Sequence, residues 1–209
     1  MKCKWVSLGE VVSARKETIT PKGEAVDWHY SLPAFDAGKG PLYECGNAIR
    51  SSKLAVLKGD ILCNKLNMRF KRIWRVEEDL PNSICSTEFI PLQARGIDRD
   101  YLYYLLLTDD FTNSMIAQRS GTSNSHQRIK VDQLLAYEFA LPSPDVQRRV
   151  GGILAAIDKK IALNSRINDH LGKQLVPNKP SDLWQRASGT IRHGIRCAGN
   201  RRCRHSHTR

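Results

Sequence analysis

The sequence predicts an α+β (mixed α/β) globular domain followed by one long α-helix. Two observations carry this. Short apolar runs punctuated by Gly, Pro and polar turn residues fill residues 1–92, the pattern of strands joined by turns. From Pro144 to Val176 no proline interrupts, and residues recur in 4-3 spacing: Val150, Leu154, Ile157, Ile161, Asn164, Asn168, Leu171, Leu175. Such a heptad-like seam marks a helix that packs along another long helix, although an ordinary amphipathic helix packed on its own domain gives a similar stripe.

In order, Trp5-Val-Ser-Leu-Gly-Glu-Val-Val opens the chain, with Leu8, Val11 and Val12 expected to face a core. Residues 21–50 are rich in Gly, Pro and aromatics and read as short strands and turns. Trp28, Tyr30 and Tyr43 can stack on a base, but large aromatics in such segments more often sit in a core. Lys58-Gly59-Asp60 reads as a tight turn before a buried strand, Ile61-Leu62-Cys63. Residues 64–75 then alternate Leu66, Met68, Phe70 and Ile73 with Asn64, Lys65, Asn67, Arg69, Lys71 and Arg72. Alternation puts the apolar set into the core and the basic set outward, on a strand or hairpin. Lys and Arg neutralise phosphates, while Asn and Arg also read base edges. With no acid between Lys65 and Arg75, Lys65, Asn67, Arg69, Lys71 and Arg72 read as candidate nucleic-acid contacts in preference to a plain solvated strand face.

Residues 83–92 read as one buried strand holding a single acid, Glu88, and residues 98–116 as a helix with an acidic start, a break and a second helical turn. After Gly121, the run Thr122, Ser123, Asn124, Ser125, His126, Gln127 and Arg128 offers hydrogen-bonding side chains suited to phosphates and bases and is the second candidate nucleic-acid contact, although on composition alone a plain polar loop is the commoner case. A helix and a strand lead to Pro142. There Ser143 can cap the long helix, Pro144 suits its first position and Asp145 complements its positive end. That helix would measure roughly 45–50 Å. The two seam asparagines trade stability for register, and Gly151-Gly152 permits a bend or a close helix approach.

The chain has 209 residues and a net charge of +12, which points to nucleic acid first and an anionic membrane second. Residues 178–209 hold eight Lys/Arg against one Asp, so that tail carries +7 and the rest +5. No apolar run has the length of a membrane span or a signal peptide, so a cytoplasmic protein without a membrane partner is expected. Six cysteines without CxxC spacing read as free thiols. There is no glycine-rich nucleotide loop, no P-loop, no Asn-Pro-Pro-aromatic motif and no metal spacing in residues 1–177. No catalytic residue, metal or cofactor is therefore expected. Cys197, Cys203, His193, His205 and His207 of the tail have poor zinc spacing. Disorder with nonspecific phosphate affinity suits the tail better.

Several stretches together resemble one half of the DNA-specificity subunit of type I restriction-modification systems. They are Trp5-Val-Ser-Leu-Gly-Glu-Val, Lys58-Gly-Asp-Ile-Leu, Ser86-Thr-Glu-Phe-Ile-Pro-Leu, Asp100-Tyr-Leu-Tyr-Tyr-Leu, Gly121-Thr-Ser, and the run from Leu141 to Asn164 with Gln147, Asp158 and Lys160. The resemblance implies a single target-recognition domain at 1–142, a spacer helix at 143–176 that pairs as an antiparallel coiled coil, and an unmatched basic tail at 177–209. It implies double-stranded DNA, a methyltransferase (modification) subunit and a restriction subunit as partners, with S-adenosylmethionine, ATP and Mg belonging to those partners. With one recognition domain, the chain would read one half-site, and a homodimer or a second specificity chain would rebuild the two-part reader. A truncated remnant acting only as a coiled-coil interaction protein is the competing expectation. A metal-dependent nuclease built on the tail is a weaker one.

Overall fold

A computed structural model describes residues 3–23, 26–118 and 128–175. The elements run β1 (Lys4–Ser7), α1 (Leu8–Val11), β2 (Val12–Ala14), β3 (Thr18–Ile19), β4 (Val26–Tyr30), α2 (Leu32–Asp36), β5 (Leu42–Cys45), β6 (Lys53–Ala55), β7 (Ile61–Asn64), β8 (Ile73–Arg75), β9 (Ser83–Cys85) and β10 (Phe89–Ala94). Then come α3 (Arg99–Leu106), α4 (Asp109–Ala117), α5 (Val131–Leu135), β11 (Glu138–Leu141) and α6 (Pro144–Leu175). The fold class is α+β with a long final helix, as the sequence predicts.

The strands form three sheets: β1-β11, β2-β10-β7-β8, and β3-β6-β9-β4-β5. The four-stranded sheet is antiparallel and buried on both faces, which explains why β7 reads Ile-Leu-Cys without alternation. Ile61, Cys63, Ile90 and Leu92 enter a large core with Leu8, Leu102, Phe111, Met115 and Leu134. Leu62 and Phe89, on the other face, join Tyr30, Val56, Val76 and Cys85, with Trp74 packed against them. Each fully buried Leu or Phe contributes roughly 1.5–3 kcal/mol, so the two clusters hold the sheet from both sides. Burial pushes the Cys63 and Cys85 thiols up to about 12.

Local chemistry sets the ends of elements. Gly59 turns the chain into β7 with φ +92°, a conformation that favours glycine. Asp98 and Thr108 cap α3 and α4, each accepting a backbone N–H three residues on, at 2.9 and 3.2 Å. The helix–break–helix expected for 98–116 is therefore present, with Leu107–Thr108 as the break. The single strand expected over 83–92 is instead two strands in different sheets. Phe89 N–H turns back to Ser86 O at 2.9 Å between them. Residues 83–85 and 89–92 are buried, and the polar, less buried Ser86-Thr87-Glu88 between them makes the turn.

The first turns of α6 dock onto the domain through Gln147, Gly151, Ala155 and Asp158, a stripe of one helix face. Gln147 is 2% exposed; its Oε1 accepts from Asp98 N–H at 2.8 Å and its Nε2 donates to Pro142 O at 2.7 Å. Gly151 lies so close to α3 that an added Cβ would fall 2.9 Å from Tyr101 N. The close approach expected at Gly151-Gly152 is thus real, and belongs to Gly151. Tyr104 donates to Asp158 at 2.6 Å, and its hydroxyl is pushed up to about 12 by burial and by that carboxylate.

Candidate nucleic-acid interface

Residues 65–72 form the loop that joins β7 to β8 in an antiparallel hairpin. The hairpin expected from alternation exists, but the alternation does not run through its tip. Asn67 takes φ +53°, and Phe70 N–H bonds back to Asn67 O at 3.1 Å, so a turn over 67–70 ends the alternation after Met68. Met68 is buried and Ile73 is buried, whereas Phe70, expected inward, is 57% exposed. A short side chain such as Asn tolerates that left-handed conformation.

The candidate cations are not equivalent. Lys71 Nζ donates to Leu107 O at 2.9 Å and to Asp109 Oδ1 at 2.5 Å. Arg72 grips Asp36 with both nitrogens, at 2.6 and 2.9 Å. Arg128 holds Glu88 the same way, at 3.0 and 2.9 Å, which accounts for the lone acid. The hydrogen bond from Arg72 lowers the Asp36 carboxyl, that from Lys71 lowers the Asp109 carboxyl, and the hydrogen bond to Glu88 raises the Arg128 guanidinium. A carboxyl lowered in the folded state stabilises at neutral pH, and that contribution is lost as pH falls through the folded value. Arg75, just past the tip, lies over the Tyr103 ring at 4.2 Å and within 3.6 Å of Asp100. Among the described residues, Lys65 and Arg69 form no ion pair. Lys65, Asn67 and Arg69 are therefore the readiest groups for an anion, and Lys71, Arg72 and Arg128 would exchange a carboxylate for a phosphate.

The bridge Leu66–Arg128 and the bond from Ile129 N–H to Lys65 O at 3.1 Å bring the end of the second candidate stretch beside the first. Thr122, Ser123, Asn124, Ser125, His126 and Gln127 lie outside the described residues. Lys65 also lines a cavity of about 240 Å³ with Lys16, Leu54, Phe89 and Val131. Lys16, in Arg15-Lys16-Glu17 between two strands, gave no sequence signal for that position. Trp28 and Tyr43 pack together with ring centres 4.9 Å apart, Tyr43 exposed, while Tyr30 belongs to the core.

The seam of α6 is solvent-facing as far as its side chains are described, with the Leu175 side chain outside them. Ile157 is 48% and Ile161 58% exposed, and Val150, Asn164, Asn168 and Leu171 are exposed too, with Leu154 half-buried. Among the described residues, no group of three His, Cys, Asp or Glu side chains could hold a metal, and no helix is long and apolar enough to cross a membrane.

The described chain is thus a mixed-sheet domain with a basic hairpin, followed by a long helix with an exposed apolar stripe. The chain belongs to the type I restriction modification DNA specificity domain family, whose profile matches residues 3–173. The type I restriction enzyme HindI specificity subunit of Haemophilus influenzae is 32% identical over 125 residues, covering 57% of this chain and 27% of that protein. The HsdS subunit of Thermoanaerobacter tengcongensis superposes with TM-score 0.65 at 22% identity, covering 82% of this chain and 46% of that one. A chain from a structure described as the basis of complex assembly and conformational transition of the type I R-M system gives TM-score 0.65 at 24% identity, with the same coverage. The chain thus spans less than half the length of these relatives.

Proposed function

We propose that this chain is a sequence-specific DNA-recognition half of a type I specificity subunit, with no catalysis of its own. The observation that carries the reading is membership of a DNA-specificity family across residues 3–173, joined to a hairpin tip that offers Lys65, Asn67 and Arg69 without acidic partners among the described residues. In this reading residues 1–142 recognise double-stranded DNA, residues 143–176 pair with a second such helix, and residues 177–209 add nonspecific phosphate affinity. The partner helix comes from a second copy or from another specificity chain, and is antiparallel, which places two recognition domains over two half-sites. The complex forms with a methyltransferase subunit, which binds S-adenosylmethionine, and with a restriction subunit, which uses ATP and Mg; the setting is the cytoplasm.

The test combines the full chain with a type I methyltransferase subunit and maps adenine methylation on a random-sequence DNA library. Methylation at one symmetric two-part site is the expected result. Methylation without sequence preference, or none, would leave the interaction-protein reading in its place.

A further inference from the structure

The β7–β8 tip carries a feature that phosphate binding leaves unexplained, an aromatic ring held in solvent. The loop is fixed at three points. Met68 is buried beneath it, Lys71 is tied to Leu107 O and Asp109, and Arg72 is tied to Asp36. Phe70 N–H closes the turn onto Asn67 O at 3.1 Å. With those side chains committed, Arg69 and Phe70 are the two exposed residues of 65–72. The Arg72 guanidinium also lies 4.9 Å from the centre of the Phe70 ring, so the cation that Asp36 pins props the ring from one side. A ring presented by a braced loop loses little further conformational freedom on binding.

The surroundings choose the occupant. Among the described residues, Lys65, Arg69, Lys71 and Arg72 pair with no acids but Asp36 and Asp109, leaving the tip net positive. An apolar protein surface would strip water from Lys65 and Arg69 without repaying it. A nucleic acid offers phosphates for the cations and flat base faces for the ring. We propose that Phe70 is a wedge that enters the base stack of a bound duplex, with Arg69 on the flanking phosphate, unstacking one step and bending the DNA there. The wedge favours a pyrimidine–purine step, because such steps unstack and kink most readily. This rests on the DNA-recognition reading above and adds to it a means of reading deformability.

The test first selects duplexes from a randomised pool with the full chain. 2-Aminopurine then replaces each adenine of the enriched sequence in turn. With the unaltered chain, fluorescence rises several-fold at one pyrimidine–purine step. Phe70→Ala abolishes the rise and weakens binding about tenfold, while Phe70→Leu, still an apolar wedge, keeps part of both. An enriched duplex in which no position brightens, or one that brightens equally with Phe70→Ala, overturns the wedge and leaves DNA recognition standing. If no sequence is enriched, the recognition reading falls and the wedge falls with it. Phe70 is 57% exposed and belongs to neither core cluster of the described residues, so these variants should fold.

Discussion

The two faces of α6 differ in how far they are finished. One face, Gln147, Gly151, Ala155 and Asp158, is completed within the chain: its polar atoms are hydrogen-bonded and its glycine admits α3. The other, Val150, Ile157, Ile161 and Leu171, repeats apolar residues with equal regularity and is left in water. The same periodicity therefore covers opposite situations. A buried face shows itself by small and polar residues matched to specific atoms across the contact, and an unfinished one by large apolar residues without such matches.

Substitutions along the helix sharpen this contrast. Gly151→Leu should be the most damaging, by about 3 kcal/mol, since the side chain would strike the capped start of α3; urea unfolding followed by tryptophan fluorescence measures it. Gln147→Leu should cost about 2 kcal/mol by stranding Asp98 N–H, read from the same curves. Tyr104→Phe removes one bond to a half-exposed carboxylate and should cost about 1 kcal/mol. Gly152→Ala, with open space around the new methyl, should stabilise by about 0.5–1 kcal/mol, so neighbouring glycines move stability in opposite directions. Ile157→Lys with Ile161→Lys should change monomer stability by less than about 0.5 kcal/mol, yet lower the mass seen by light scattering from dimer to monomer. Loss of stability with unchanged mass would mean that this stripe belongs to the fold and not to a partner.

Much of this was legible in the sequence for physical reasons. The 4-3 spacing and Pro144 marked α6, the Lys58-Gly59-Asp60 turn announced β7, and the acidic start at Asp98 marked α3. What escaped depended on distant residues. Asp36, Glu88 and Asp109 neutralise Arg72, Arg128 and Lys71 from 36 to 40 positions away, and no local pattern shows it. Phe70, expected inward from alternation, is exposed because residues 67–70 close a turn, with Phe70 N–H on Asn67 O and Asn67 at positive φ, and strand periodicity does not continue through a turn. Gln147 stood out only through the family resemblance, since one glutamine on a helix says nothing of the N–H it meets.

The small sheet of β1 and β11 has a consequence of another kind. Trp5 lies opposite Ala140, and Lys4 opposite Leu141, so the first and last strands of the domain run side by side. Everything between them leaves and returns to the chain at one place. Asp98, Tyr101 and Tyr104, on which α6 is seated, lie inside that excursion, so a different domain closed by the same clasp would leave α6 undisturbed only where it brought the same seat for the helix with it.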